Sequence, residues 1–278
     1  MMQFYIDDII KTALLEDINY IDMAADNLLD DSQIATARYI AKADGVLCGI
    51  DVALRVFELL GGFEIKKYKN DRDRIKKGDI IAELTGPVKT LLKGERTSLN
   101  LLQHMSGIAT MTAEAVELTE GTKATVTDTR KTLPGLRALQ KYAVTCGGGK
   151  NHRFNLSDAA MLKDNHIDAS GSITKAVETL RGKIGHTVKI EVETRNLDEV
   201  AEALETGCEI IMLDNMDNET MKKAVEMTNG RALLEASGNI TAETIRDVAL
   251  TGVDIISIGA LTHSVKAFDI SLKIAKNA

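Results

Sequence analysis

Over the first hundred residues the apolar positions switch between helical and strand spacing. Met2–Leu15 follows a period near 3.6 and predicts a helix. Gln33–Lys42 and Gly45–Ile50 read as strands. Ala53–Leu60 reads as a helix stopped by Gly61-Gly62, and Phe63–Lys69 alternates as a strand does. Lys77-Gly78-Asp79 turns into a strand over Ile80–Leu84. Pro87, suited to a first helical turn, opens a helix through Leu91, Leu92, Leu99 and Leu102 that ends near Ser106-Gly107, with a second helix to Glu120. The turn Asp71-Arg72-Asp73-Arg74 alternates in charge and reads as solvated.

Beyond this point the pattern changes. Short apolar or β-branched runs recur at Ala124–Thr127, Ala160–Leu162, Val188–Val192, Ile210–Leu213, Ala232–Leu234 and Ile255–Ile258. Helical patterns lie between most of them: Ile173–Leu180, Leu197–Leu204, Asn218–Met227 and Thr241–Leu250. Strand starts at 188, 210, 232 and 255 give a short, even βα repeat, which predicts a parallel sheet closed toward a barrel rather than an open doubly wound sheet. Six strands leave that barrel incomplete, unless one or two more strands escape the pattern. The first hundred residues thus read as a mixed α+β unit, and the remainder as βα alternation.

In a barrel the residues ending each strand point into a site at one face. Here those ends read Asp128-Thr129-Arg130-Lys131, Lys163-Asp164-Asn165-His166, Glu191-Val192-Glu193, Asp214-Asn215, Glu235-Ala236-Ser237-Gly238 and Gly259-Ala260. A purely structural barrel has no reason to concentrate charge and glycine there.

Charge sharpens the picture. The chain carries 34 Lys/Arg against 41 Asp/Glu, net -7, with 4% aromatics. That composition excludes a nucleic-acid binder, which needs basic surface and stacking rings. From Gly121 to His166, however, eight basic residues face three acidic ones, a local +5 against -12 elsewhere. A basic island in an acidic protein marks a site for a small, highly charged anion. Three dispersed cysteines without Cys-x-x-Cys spacing fit a reducing, cytoplasmic compartment and no structural metal. The first residues lack the pattern of a signal peptide, and no apolar run nears the ~20 residues of a membrane helix.

The early strands deliver cations: Arg130, Lys131 and Lys163, with His152 and Arg153 from the loop between. Arginine grips carboxylates with two parallel bonds, and lysine serves phosphate as a point charge. Glu193 and Asp214 on the middle strands can hold magnesium or face a developing positive charge. Ser237-Gly238 and Gly259-Ala260 let backbone N–H groups approach a phosphate. Arg137, Lys141 and Lys150 read instead as solvated surface charges, His104, His186 and His263 as structural, and Cys146 as a small buried thiol.

Asp128-Thr129-Arg130-Lys131-Thr132, Pro134-Gly135-Leu136-Arg137, Gly147-Gly148-Gly149-x-Asn151-His152-Arg153 and Lys163-Asp164-Asn165-His166 together resemble the quinolinate phosphoribosyltransferase family, also called nicotinate-nucleotide pyrophosphorylases. Glu191-Val192-Glu193, Leu213-Asp214-Asn215 and Glu235-Ala236-Ser237-Gly238 match in the same order, so the resemblance spans about residues 10–275. It implies an amino-terminal α/β sandwich over 1–107, an incomplete α/β barrel over 108–265, and a tail, 266–278, packing back on the first domain. The implied reaction joins quinolinate to phosphoribosyl pyrophosphate with magnesium, giving nicotinate mononucleotide, carbon dioxide and pyrophosphate. The resemblance also implies a homodimer or larger assembly in which Arg96, within Glu95-Arg96-Thr97-Ser98-Leu99-Asn100, reaches the neighbour's site. Arg96, Arg130, His152 and Arg153 would clamp the two carboxylates of quinolinate. Lys131 and Lys163 would bridge quinolinate and phosphates, Glu193 and Asp214 would face the ribose and its magnesium, and Ser237, Gly238, Gly259 and Ala260 would cradle the 5′-phosphate. Two positions depart from the family pattern. Ile21-Asp22-Met23-Ala24 follows Glu16-Asp17, and Asn155 stands where glycine is usual, a place where asparagine can take positive φ.

Three other readings compete. A paralogous pyrophosphorylase associated with molybdenum transport would take another acceptor. A Schiff-base aldolase would use Lys163 as nucleophile. A non-catalytic regulator would bind nucleotide without needing Glu193 and Asp214.

Overall fold

The computed structural model describes residues 3–275. In chain order its first part carries α1 (Gln3–Asp17), α2 (Ala25–Leu28), β1 (Ile34–Ala41), β2 (Gly45–Val46), α3 (Ile50–Leu60), β3 (Glu64–Lys67), β4 (Arg74–Ile75), β5 (Ile80–Pro87) and α4 (Val88–Leu118). There follow β6 (Thr125–Thr127), α5 (Arg137–Cys146), β7 (Ala160–Leu162), α6 (Asp164–Ser170), α7 (Ile173–Arg181), β8 (Ile190–Thr194), α8 (Leu197–Glu205), β9 (Ile210–Asp214) and α9 (Asn218–Thr228). The chain closes with β10 (Leu233–Ser237), α10 (Ile245–Leu250), β11 (Ile255–Ser257), α11 (Ala260–His263) and β12 (Ile270–Ile274). Met2, where the first helix was expected to start, and residues 276–278 of the tail lie outside the described residues.

These elements form two compact units. One takes the chain up to Ala113, Leu133–Gly148 and everything from Thr262; the other takes Glu114–Thr132 and Gly149–Leu261. The first unit is built on an antiparallel sheet in the order β12-β1-β5-β3. β1 alternates as a half-buried strand must: Ala37, Tyr39 and Ala41 point inward, and Arg38 between them is exposed. The Tyr39 hydroxyl donates to Ser98 Oγ at 2.8 Å, tying the sheet to α4.

Four expectations change here. α4 runs unbroken for 31 residues through Ser106-Gly107, while Pro87 ends β5 rather than opening the helix. Gly107 serves contact, not termination: a Cβ there would come within 2.3 Å of the Lys266 carbonyl oxygen. The strand expected over Gly45–Ile50 is only Gly45–Val46, because Gly49 takes φ +93 and Ile50 already begins α3. Asp71 is no solvated turn residue. Its Oδ1 accepts the Gly49 and Ile50 N–H groups, capping α3, and its Oδ2 accepts the Tyr142 hydroxyl. Lys141 lies on α5, a helix the sequence pattern did not reveal, and is 1% exposed.

The second unit carries a six-stranded parallel sheet in the order β6-β11-β10-β9-β8-β7. That is barrel order with the seam between β6 and β7 left open. On the free edge of β6, Thr127 makes a parallel bridge to Lys150. The expected incomplete α/β barrel is therefore present, with its six strands where the sequence placed them to within three residues.

Candidate active site

The carboxyl ends of the six strands surround one cleft of about 300 Å³, contained entirely within the second unit. Thr129, Arg130 and Lys131 enter it after β6, and His152 and Arg153 from the segment before β7. Met161 and Lys163 come from β7 and its end, and Glu193 from β8. Met212 and Asp214 come from β9, Glu235 and Ser237 from β10, and Ser257 from β11. Eight expected site residues thus converge: Arg130, Lys131, His152, Arg153, Lys163, Glu193, Asp214 and Ser237. Gly238, Gly259 and Ala260 follow the ends of β10 and β11 without lining the cleft. Arg96 lies in the first unit on α4, exposed and 3.3 Å from Glu95.

The residues that sequence reasoning did not commit to follow a simple rule. In a strand, positions i and i+2 share a face. Met161, Met212 and Glu235 each stand two residues before an expected site residue, and so point the same way. Register agrees: Ser237 pairs with Asp214 and Ser257, and Ser257 with Thr127.

Local chemistry explains each strand end. The Lys163 backbone N–H donates to His166 Nδ1 at 3.0 Å, turning β7 sharply into α6, so His166 works as a cap. After β9, Asn215 takes φ +53 and its amide donates to Asp214 Oδ2 at 2.9 Å. Gly238 takes φ +99 against it, where a Cβ would come within 2.2 Å of Asn215 Oδ1, so only glycine fits. Asn155 does not take the positive φ expected of it. Instead its Oδ1 accepts the Ser157 N–H at 2.7 Å, closing the turn through its side chain.

Electrostatically the cleft is cationic above a buried acidic floor. Asp128, Glu191 and Glu235 are at most 2% exposed. Asp128 accepts the His152 backbone N–H at 2.9 Å. His152 Nε2 lies 3.1 Å from Glu191 and 3.5 Å from Glu235, while its Nδ1 accepts the Arg153 N–H at 2.7 Å. Both ring nitrogens are engaged inside the protein. His152, expected in the carboxylate clamp, lines the cleft beside Arg153. Burial, then the neighbouring Glu191 charge, pushes the Glu235 carboxyl up to about 7. Burial and the adjacent Arg130 hold the Arg153 guanidinium below its ordinary value. The Arg153 side chain donates to the Ala159 carbonyl at 3.0 Å. Arg130 Nε is buried with no hydrogen-bond partner among the described residues, a polar deficit that a charged ligand would relieve. Lys163 Nζ sits 2.6 Å from Glu193.

Comparison with known proteins agrees over the whole chain. Residues 22–106 match the family model for the quinolinate phosphoribosyl transferase N-terminal domain, and residues 108–273 that for its C-terminal domain. A Bacillus subtilis (strain 168) protein named a probable nicotinate-nucleotide pyrophosphorylase (carboxylating) is 45% identical over 261 residues, covering 94% of this chain and 90% of that protein. The nicotinate-nucleotide pyrophosphorylase (carboxylating) of Mycobacterium leprae (strain TN) is 42% identical, covering 96% of both. The crystal structure of NadC from Streptococcus pyogenes superposes with a TM-score of 0.95 at 44% identity, covering 99% of both chains.

Proposed function

The chain belongs to the quinolinate phosphoribosyltransferase family and carries its nicotinate-nucleotide pyrophosphorylase activity in NAD biosynthesis, and from that premise we propose how the cleft performs it. The observation that carries the assignment of roles is the cationic cleft: two arginines and two lysines at strand ends, with a buried guanidinium nitrogen lacking a partner.

Arg130 and Arg153, with His152, bind the two carboxylates of quinolinate. Arg96 of a neighbouring subunit completes the clamp in a homodimer or larger assembly, supported by its exposure on α4. Lys131 and Lys163 lie between quinolinate and the phosphates of phosphoribosyl pyrophosphate. Ser237, Gly238, Gly259 and Ala260 hold the 5′-phosphate. Magnesium that arrives with phosphate ligands and water needs only one or two protein carboxylates. Glu193 and Asp214, which line one cleft on adjacent strands, meet that demand. When bound, the ion neutralises the charge of the pyrophosphate.

As pyrophosphate departs, positive charge develops on the ribose ring. Glu193 and Asp214 stabilise it, and Lys131 and Lys163 stabilise the leaving anion. The quinolinate nitrogen attacks C1 of the ribose and becomes a pyridinium. The 2-carboxylate then leaves as carbon dioxide, its bonding electrons remain on the ring carbon beside the cationic nitrogen, and that carbon takes a proton. The two arginines in the same cleft, which a Schiff-base aldolase would leave unexplained, weigh against that reading. The reading carries a cytoplasmic setting, supported by three cysteines outside any disulfide. No helix among the described residues is long and apolar enough to cross a membrane.

Titration calorimetry with quinolinate and with nicotinate tests the clamp. Quinolinate should bind more tightly, and Arg153→Ala should remove about 1.5–3 kcal/mol from quinolinate binding while sparing nicotinate. Equal binding of the two acids by the unmodified protein would favour the molybdenum-associated paralogue.

A further inference from the structure

The first unit brings two of the three cysteines together. Cys48 Sγ, Cys146 Sγ and an Asp71 carboxylate oxygen all lie within 4.8 Å of one another. Cys48 precedes α3 and Cys146 ends α5, and both carriers are docked on α4. The Ser106 hydroxyl donates to the Cys48 carbonyl and accepts the Cys48 N–H, each at 3.0 Å. Gly147, next to Cys146, approaches α4 so closely that a Cβ would fall 2.3 Å from the Ala109 carbonyl oxygen. Ser106 and Ala109 are three residues apart and share one helix face. The sulfur pair is therefore set by backbone docking rather than by chance rotamers.

The surroundings favour one thiolate, on Cys146. The adjoining Cys48 thiol lowers the Cys146 thiol to about 7, with Arg72 assisting, against burial and the nearby Asp71 charge. Burial pushes the Cys48 thiol up. Arg72 is held at φ +79, a conformation costly for a residue with a side chain, in the turn that Asp71 anchors to Gly49, Ile50 and Tyr142. Asp71 already accepts three hydrogen bonds, so it serves as the anchor of this turn rather than as a vacant metal ligand.

We propose that Cys48 and Cys146 form a redox-active dithiol whose substrate is a small hydroperoxide, with Cys146 as attacking sulfur and Cys48 as resolving sulfur. The Cys146 thiolate attacks a peroxide oxygen and the O–O bond breaks. Cys146 becomes a sulfenic acid, and the departing hydroxide is protonated to water. The Cys48 sulfur then attacks Cys146 Sγ, the S–O bond breaks, and a second water leaves with the Cys48 proton. Two thiols are oxidised to one disulfide, and one hydrogen peroxide is reduced to two waters. Cys146 is 6% exposed and Cys48 fully buried, which excludes bulky disulfides, so the oxidant of this proposal is a small one. Cys208 is buried in the other unit, where it donates to the Ala203 carbonyl, and serves as an internal control.

The test treats the reduced full chain with equimolar hydrogen peroxide, then alkylates it in denaturant for intact-mass and peptide analysis. The expected result is loss of two thiols, one linked peptide pair containing Cys48 and Cys146, Cys208 still alkylated, and full reversal by dithiothreitol. Cys48→Ser should leave Cys146 as a sulfenic or sulfinic acid without a linked pair. Cys146→Ser should slow oxidation at least about tenfold. Should either variant fold poorly, Cys48→Ala and the linked-peptide map of the unmodified chain carry the same test. Three intact thiols after peroxide, oxidation of Cys208 as fast as of Cys146, or stoichiometric zinc on the purified chain would each overturn the proposal.

Discussion

Glu235 carries a carboxyl group to the floor of a cationic cleft, and its protonation gives a direct handle on the network that holds His152 and Arg153. Its folded pKa is raised from 4.5 to about 7. Between these values the unfolded chain releases a proton that the folded chain retains, so stability from this group is lost as pH rises through that window. Glu235→Gln has no such loss. Its free energy of urea unfolding relative to the unmodified chain should rise between pH 5 and pH 8, by a few kcal/mol at most; a difference independent of pH would refute the assignment. Lys131 is exposed, so Lys131→Ala should leave the free energy of urea unfolding within ~0.5 kcal/mol while lowering kcat by about a hundredfold or more. Parallel loss of stability and turnover would make it a structural residue. At this scale the cations were legible because strand ends in a barrel face the site. His152 was legible as a site residue, but the contacts of Nδ1 and Nε2 with protein groups were not, because no sequence pattern reports them.

Strands and helices differ in what their sequences disclose. The six parallel strands were evident as apolar runs, since strands covered on both faces need no polar alternation. The site residues within them, Met161, Met212 and Glu235, were recoverable from the two-residue period. α4 was misread because Gly107 is a helix breaker by propensity, at about 1 kcal/mol relative to alanine. Its reason lies 159 positions along the chain, at the Lys266 carbonyl, and no local pattern reports it. Gly107→Ala separates the readings. A helix end or a merely tolerated glycine predicts a gain of stability, whereas the contact predicts a loss on the order of 1–3 kcal/mol in urea unfolding. The short helices α5 and α6 were hidden by basic and polar residues that serve burial and capping, as Lys141 and His166 do.

On the scale of the whole molecule, the fold class and the incomplete barrel were legible, and the extent of the first unit was less so, because 133–148 leave the barrel segment to join it. Arg96 could not be read from spacing at all, since its proposed partner belongs to another subunit. Mixing Arg96→Ala with Lys131→Ala chains, each inactive alone, should therefore restore activity. With random exchange in a dimer, about a quarter of the sites regain a full set of residues. No recovery after verified exchange would place Arg96 outside the site. The central claim, that this cleft couples ribosyl transfer to loss of the quinolinate 2-carboxylate, is met most directly by one assay. The folded protein is given magnesium, phosphoribosyl pyrophosphate and quinolinate labelled in that carboxylate. Labelled carbon dioxide and nicotinate mononucleotide should appear together in equal amounts; carbon dioxide without the nucleotide, or no release at all, would contradict the account.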